Sequence, residues 1–330
     1  VYGCVQESYV ELFPANFVIL VIFNPIVLIQ IPVNMKYPPV QNFINGAFIT
    51  PQTQRHLPVI SPVNGQQLSE VPLSGAIDLE KAVTAATAAF RGWSKTPIKE
   101  RVQVFFRYKT LLEKHLDELA ALCSEENGKT HAESVAEIEK CIELTEFATS
   151  LPQLVTGEIL EVSKGVECRT EHVPLGVVAS IVPFNFPAMV PNWTIPNALT
   201  LGNCMIIKPS EKVPLTLGRI ALLLKEAGLP DGVFNIVNGD SEIVNAICDH
   251  PGIEAVSFVG STKVAKLVYQ RGTSQLKRVL ALGGAKNHLI VLPDANTDMT
   301  AQNVVASMSG CAGQRCMAAG AMLAVGNVES

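Results

Sequence analysis
The stretch GCAGQRCMAAG, residues 310–320, carries two cysteines in a bed of Gly and Ala. A nucleophilic thiol needs thiolate character and room around the sulfur. Gly313, Ala318 and Ala319 leave room at Cys316, and Arg315 adds positive potential. Cys311 lies five residues earlier; at helical spacing it should face away from the site as an inert apolar residue. A second chemical group is Asn185 in IVPFNFPAMVP, residues 181–191, where Pro183 and Pro187 fix the backbone on both sides. A carboxamide held rigidly at a strand end can donate to a developing oxyanion; taken alone, it is a turn residue. Lys208 and Glu211 in KPSEKVP offer one donor and one acceptor for ribose hydroxyls, or form a solvated turn pair. In FVGSTKVAK, Gly260 allows close approach, and Ser261 and Thr262 open a helix whose free N–H groups could take phosphate, or simply cap it. The usual GxGxxG fingerprint does not follow the first strand.

These groups must be positioned by an α/β fold. From residue 176 the chain alternates short apolar β-rich segments with helical stretches. The strands are expected at 176–183, 204–209, 233–239, 254–260, 278–284 and 288–296, with helices near 187–200, 212–227, 240–249, 262–272 and 299–312. Near-continuous apolar strands between helices predict a Rossmann-type parallel sheet covered on both faces. Upstream, Asn45-Gly46 marks a hairpin and residues 61–75 a second strand-turn-strand piece. One helix is expected from a cap-like Asp78 to Trp93, a second long one from Val102 past Leu119 to Asn127-Gly128, and a third over 131–149. Residues 157–176 alternate and read as an excursion of paired strands.

Composition narrows the partners. With 330 residues, 48% apolar and 17% charged, the chain can bury a sizeable core of about two domains. Net charge is −5 with no basic block, which argues against nucleic acid. The eight cysteines are scattered, without CxxC or metal-ligand spacing, so no metal site is expected and the thiols read as reduced and intracellular. Residues 1–40 read as an apolar leader foreign to the rest. Asn24, Pro25, Gln30 and Pro32 interrupt it, whereas a membrane span needs about 20 apolar residues. It has neither the basic start of a secretory signal nor the arginines of a mitochondrial presequence.

Taken in order, PFNFP, KPSE, VGST, LGG and GQRC resemble the aldehyde dehydrogenase superfamily over about Phe43 to Gly326. The resemblance implies that Cys316 attacks an aldehyde, that Asn185 and the Cys316 N–H hold the oxyanion, and that hydride passes to NAD, leaving a thioester. It gives Lys208 and Glu211 to the adenosine ribose, and places Val182, Pro183, Phe184, Gly239, Gly260, Ser261 and Leu282 along the cofactor. Hydrolytic members carry Glu before Leu-Gly-Gly to activate water; here that position is Ala281. The GAKNH stretch at 284–288 and the GxRCMA pattern at 313–318 resemble the CoA-acylating branch, methylmalonate-semialdehyde dehydrogenase, which also lacks that Glu. This branch implies CoA as co-substrate and acetyl- or propionyl-CoA as product. Its substrate carboxylate would pair with Arg315 and with a second cation at Lys140, where the branch has Arg. Two alternatives stay open: a non-acylating aldehyde dehydrogenase, and a catalytically silent NAD-binding fragment. The implied domains are NAD-binding at 41–156 and 175–282, an oligomerisation arm at 157–174 and the start of a catalytic domain at 283–330. The resemblance also implies further chain beyond Ser330 and a homo-oligomer, mitochondrial in a eukaryote or cytoplasmic in a bacterium.

Overall fold
The computed structural model describes residues 35–326, so the expected leader lies almost wholly outside the described residues. The chain opens with the hairpin β1 (Asn42–Ile44) and β2 (Ala47–Ile49). Its turn residues Asn45 and Gly46 have φ of 51° and 75°, the left-handed pair that a two-residue hairpin turn requires. A separate antiparallel pair follows, β3 (His56–Ile60) and β4 (Gln67–Pro72). Its first strand lies before Ser61, earlier than the sequence reading placed it, and 61–66 form the turn.

Four helices come next: α1 (Ala76–Trp93), α2 (Ile98–Lys114), α3 (Leu116–Asn127) and α4 (His131–Thr149). Two expectations are corrected here. Gly75, not Asp78, is the N-cap of α1; Asp78 is buried in the first turn, with Lys81 at 3.3 Å. The long second helix is two helices, broken at His115, whose backbone leaves the helical region (φ −105°, ψ 19°). Both helices keep an apolar stripe buried across the bend. Phe105, Tyr108 and Leu112 of α2 and Leu119 and Cys123 of α3 are fully buried; α2 packs on α4 and on two later helices, and α3 on α4 and one of those later helices. Gly128 ends α3 with φ 85°, a left-handed stop.

After the short α5 (Leu151–Leu154), the hairpin β5 (Glu158–Ser163) and β6 (Val166–Thr170) is exposed along its whole length. The alternating part then follows: β7 (Val177–Ile181), α6 (Met189–Thr200), β8 (Cys204–Lys208), α7 (Leu215–Glu226), β9 (Phe234–Ile236), α8 (Ser241–Asp249), β10 (Ala255–Val259), α9 (Thr262–Ser274) and β11 (Arg278–Leu282). The sheet order is β11-β10-β7-β8-β9-β1-β2. The first five strands run parallel, and β1 joins β9 antiparallel. β7 and β8 are buried throughout, which is why they read as unbroken apolar runs rather than alternating ones.

The order matters for function. From β7 the chain builds outward to β8 and β9 on one side, then crosses back to β10 and β11 on the other. In open parallel sheets, ligands bind beyond the strand C-termini where that reversal occurs. Here the crevice lies between β7 and β10. Beyond the sheet, β12 (Asn287–Val291), α10 (Thr297–Ser309) and β13 (Ala319–Ala324) form a separate two-stranded parallel unit with one helix. Among the described residues, no helix is long and apolar enough to cross a membrane.

Candidate active site
A cleft of about 620 Å³ opens at the reversal point. Val182, Pro183, Phe184 and Asn185 reach it from the end of β7, and Lys208 and Glu211 from the end of β8. Gly260 and Ser261 enter from β10, and Arg315 and Cys316 close it from the loop before β13. The sequence reading named all these residues, and the fold brings them to one cavity. Gly239 and Leu282 do not line it. Gly239 allows a close approach: a Cβ there would lie 2.6 Å from the side chain of Ile243 at the start of α8. Leu282 contributes its carbonyl, which accepts from Gly260 N at 3.1 Å and ties β11 to β10. Lys140 is corrected: it is exposed on α4, paired with Glu143, and does not line the cleft.

Lys208 and Glu211, the residues expected to meet a nucleotide, stand as a paired donor and acceptor. Lys208 Nζ donates to Glu211 Oε2 at 3.0 Å, and the Lys208 side chain is almost fully buried. Burial pushes the Glu211 carboxyl upward, but the Lys208 charge and local hydrogen bonds outweigh it and leave it below the usual range. Ser261 caps α9 by accepting from Val264 N at 3.5 Å. Gly284 N donates to Thr262 Oγ1 at 3.0 Å, fixing the loop after β11 against that cap.

Cys316, the candidate nucleophile, is half-buried. Asn287 Nδ2 donates to its carbonyl at 2.8 Å, anchoring the loop to β12. Asn185 Nδ2 donates to Gln314 O at 2.5 Å, which ties the carboxamide to the backbone two residues before Cys316. Asn185 Oδ1 is buried without a partner. Arg315 donates to Glu133 Oε1 at 3.1 Å, and its buried Nε has no partner.

Cys311 is a correction. Helix α10 ends at Ser309, and Cys311 and Ala312 take φ of 54° and 52°. Helical spacing therefore does not govern Cys311, whose Sγ lies 3.6 Å from Asn185 O. Burial raises its thiol above the ordinary range, so it stays protonated. Ala281 pairs with Phe258 across parallel strands and places no carboxylate there. Among the described residues, no group of three or more His, Cys, Asp or Glu side chains gathers as a metal site.

Sequence reasoning missed the residues beneath the site. Asn127 Nδ2 donates to Phe184 O at 2.8 Å, Lys129 Nζ donates to Asn185 O at 2.8 Å, and Glu133 Oε1 accepts from Cys311 N at 2.6 Å. Asn127-Gly128 reads in sequence only as a helix stop. The available signal was the i, i+4 pair Glu133 and Glu137, two carboxylates sharing one face of α4.

The sequence profile of the aldehyde dehydrogenase family matches residues 48–329. The chain belongs to this family. It is 50% identical over 279 residues to a malonate-semialdehyde dehydrogenase of Lacticaseibacillus casei, covering 84% of the chain and 57% of the relative. It is 46% identical over 289 residues to malonate-semialdehyde dehydrogenase 2 of Geobacillus thermodenitrificans (strain NG80-2), covering 87% and 60%. Among solved members of the family, the methylmalonate-semialdehyde dehydrogenase of Oceanimonas doudoroffii superposes with a TM-score of 0.86 at 43% identity, covering 88% of the chain and 60% of that structure. A candidate methylmalonate-semialdehyde dehydrogenase of Sinorhizobium meliloti 1021, solved with NAD, gives 0.87 at 39% identity, covering 89% and 60%. The chain thus spans about 60% of the length of these relatives.

Proposed function
We propose NAD-dependent, CoA-acylating oxidation of malonate or methylmalonate semialdehyde to acetyl-CoA or propionyl-CoA. The observation that carries this is the meeting of Cys316 and Asn185 at one mouth of the cleft, with Lys208 and Glu211 along it. The relatives named malonate-semialdehyde dehydrogenase support the substrate class. Cys316 Sγ attacks the aldehyde carbon, and the carbonyl oxygen becomes an oxyanion. Asn185 Nδ2 is the side-chain donor for it, on release from Gln314 O. Lys208 and Glu211 suit a ribose diol, donating and accepting in turn. NAD, when bound, supplies the hydride acceptor. A thioester then remains on Cys316. With Ala281 at the usual water-activating position, transfer to a second thiol, that of CoA, fits better than hydrolysis. The substrate carboxylate leaves as CO₂, its bonding electrons pass to the adjacent carbon as an enolate stabilised by the thioester, and that carbon takes a proton from solvent. The CoA sulfur then attacks the thioester, the bond between the acyl carbon and Cys316 Sγ breaks, and the CoA thiol proton passes to Cys316. Arg315 is the cation that meets the substrate carboxylate. The exposed β5–β6 hairpin is the segment assigned to subunit contact in a homo-oligomer.

A second reading, nucleotide binding without turnover, is favoured by one feature. The donors that would act on substrate are already engaged, Asn185 on Gln314 and Arg315 on Glu133. Cys316→Ala separates the two. Loss of the NADH burst with unchanged NAD binding supports the enzyme; no Cys316-dependent burst in the parent chain supports the silent reading.

A further inference from the structure
Beneath the cleft lies an ion pair that the chemistry above leaves unused. The Lys129 and Glu137 side chains are 1% and 0% exposed and bonded to each other. Isolating two charges from water costs several kcal/mol per ion unless every direction is filled. Here every direction is filled, and mostly by one segment, residues 185–189. Lys129 Nζ donates to Asn185 O at 2.8 Å and sits 4.1 Å from the Phe186 ring centroid. Glu137 Oε1 accepts from Ala188 N at 2.8 Å and Met189 N at 3.0 Å, the otherwise unpaired donors at the start of α6. Its other oxygen takes Lys129 and the Cys123 thiol, the latter at 3.4 Å.

We propose that Lys129 and Glu137 are positioning residues for the Asn185 carboxamide, clamping the turn that carries it at both ends. Lys129 holds the carbonyl of Asn185 itself, and Glu137 holds the helix three residues on. The peptide between them therefore has little freedom to rotate, and Nδ2 is aimed at the nucleophile loop. A misplacement of about 1 Å in such a group costs roughly a hundredfold in rate. The inference rests on Asn185 being the oxyanion donor, but its test need not.

The test is hydrogen exchange of asparagine side-chain amides by NMR on the 330-residue chain labelled with ¹⁵N-Asn, with the Asn185 signal assigned from Asn185→Ser. Asn235, which is buried and donates to Gly232 O at 2.8 Å, is the internal control. Lys129→Met is expected to speed Asn185 exchange about tenfold or more, the equivalent of losing a charge-assisted hydrogen bond, with Asn235 unchanged. Because Lys129→Met strands a buried carboxylate and can unfold the chain, the double variant Lys129→Met/Glu137→Gln is measured beside it. It relieves the charge and should show the same rise. Unchanged Asn185 exchange in the folded double variant overturns the proposal. So does a rise shared equally by Asn235, which marks a merely structural role. In an NADH burst assay the double variant should lower the burst rate without changing KM for NAD. Cys316→Ala should abolish the burst and leave Asn185 exchange at the parent rate. A parent chain without a Cys316-dependent burst removes the enzymatic reading, while the exchange data still decide the positioning role.

Discussion

Glu126 should make the stability of this chain fall as pH rises through neutrality. It ends α3, is 2% exposed, and accepts from Leu215 N at 2.8 Å and Thr216 N at 2.9 Å at the start of α7. Burial pushes its carboxyl from 4.5 up to about 7, against the opposing pull of the Thr216 and Leu215 hydrogen bonds. The folded chain therefore holds this proton more tightly than the unfolded one. The contribution is fully present below pH 4.5 and is lost as pH rises through about 7. A shift from 4.5 to about 7 corresponds to at most about 3 kcal/mol between those limits. Urea unfolding of the parent chain and of Glu126→Gln, at half-unit steps from about pH 5 to about pH 8, measures it. The difference in unfolding free energy between the two should drift by about 1–3 kcal/mol in favour of the variant as pH rises, then level off. Only the slope matters, because Gln cannot accept from both N–H groups and carries a constant penalty of its own. A difference that stays flat, or one that grows in favour of the parent, refutes the reasoning: it would mean that the two backbone donors and the α7 dipole keep Glu126 ionised despite its burial.

Arg315→Leu should raise KM for malonate semialdehyde about tenfold more than for propanal. A charge-assisted bond of about 1.5–3 kcal/mol is lost, against about 0–1 kcal/mol already spent on the part-exposed Glu133 pair; equal effects on both aldehydes would remove the carboxylate role. Ala281→Glu should raise NADH formation in the absence of CoA, followed by absorbance over many turnovers, and an unchanged CoA-free rate counts against Ala281 occupying the water-activating position.

Much of the fold was readable because its causes are local or periodic. The β7 and β8 runs are apolar throughout since both sheet faces are covered, and Asn45-Gly46 admits the left-handed turn it marks. The cleft residues at the ends of β7, β8 and β10 were readable for a related reason: strand ends follow from the pattern, and reactive side chains at strand ends are few. What escaped depends on groups far apart in sequence. The break at His115 carries no Pro or Gly; its ring nitrogen instead lies 2.6 Å from Glu118 and 3.3 Å from Arg219, 104 positions later. Lys129 looks like an ordinary charge in the connection after α3, and Glu137 like an ordinary charge on α4, until the turn at 184–189 is folded onto them. Lys140 was placed by resemblance alone, and it faces solvent. Cys311 was misplaced because helical spacing was extended beyond Ser309, where the helix stops.

That stop limits which sequences can occupy the loop. With φ of 54° and 52°, Cys311 and Ala312 form a corner of the wrong hand for most amino acids. Glycine or asparagine could replace either with little disturbance, whereas valine or isoleucine would force the corner to unwind. Unwinding would swing Gln314 away from Asn185 and carry the Cys316 sulfur with it. Natural variation at these two sites should therefore be confined to small or amide-bearing side chains, even though neither one lines the cleft.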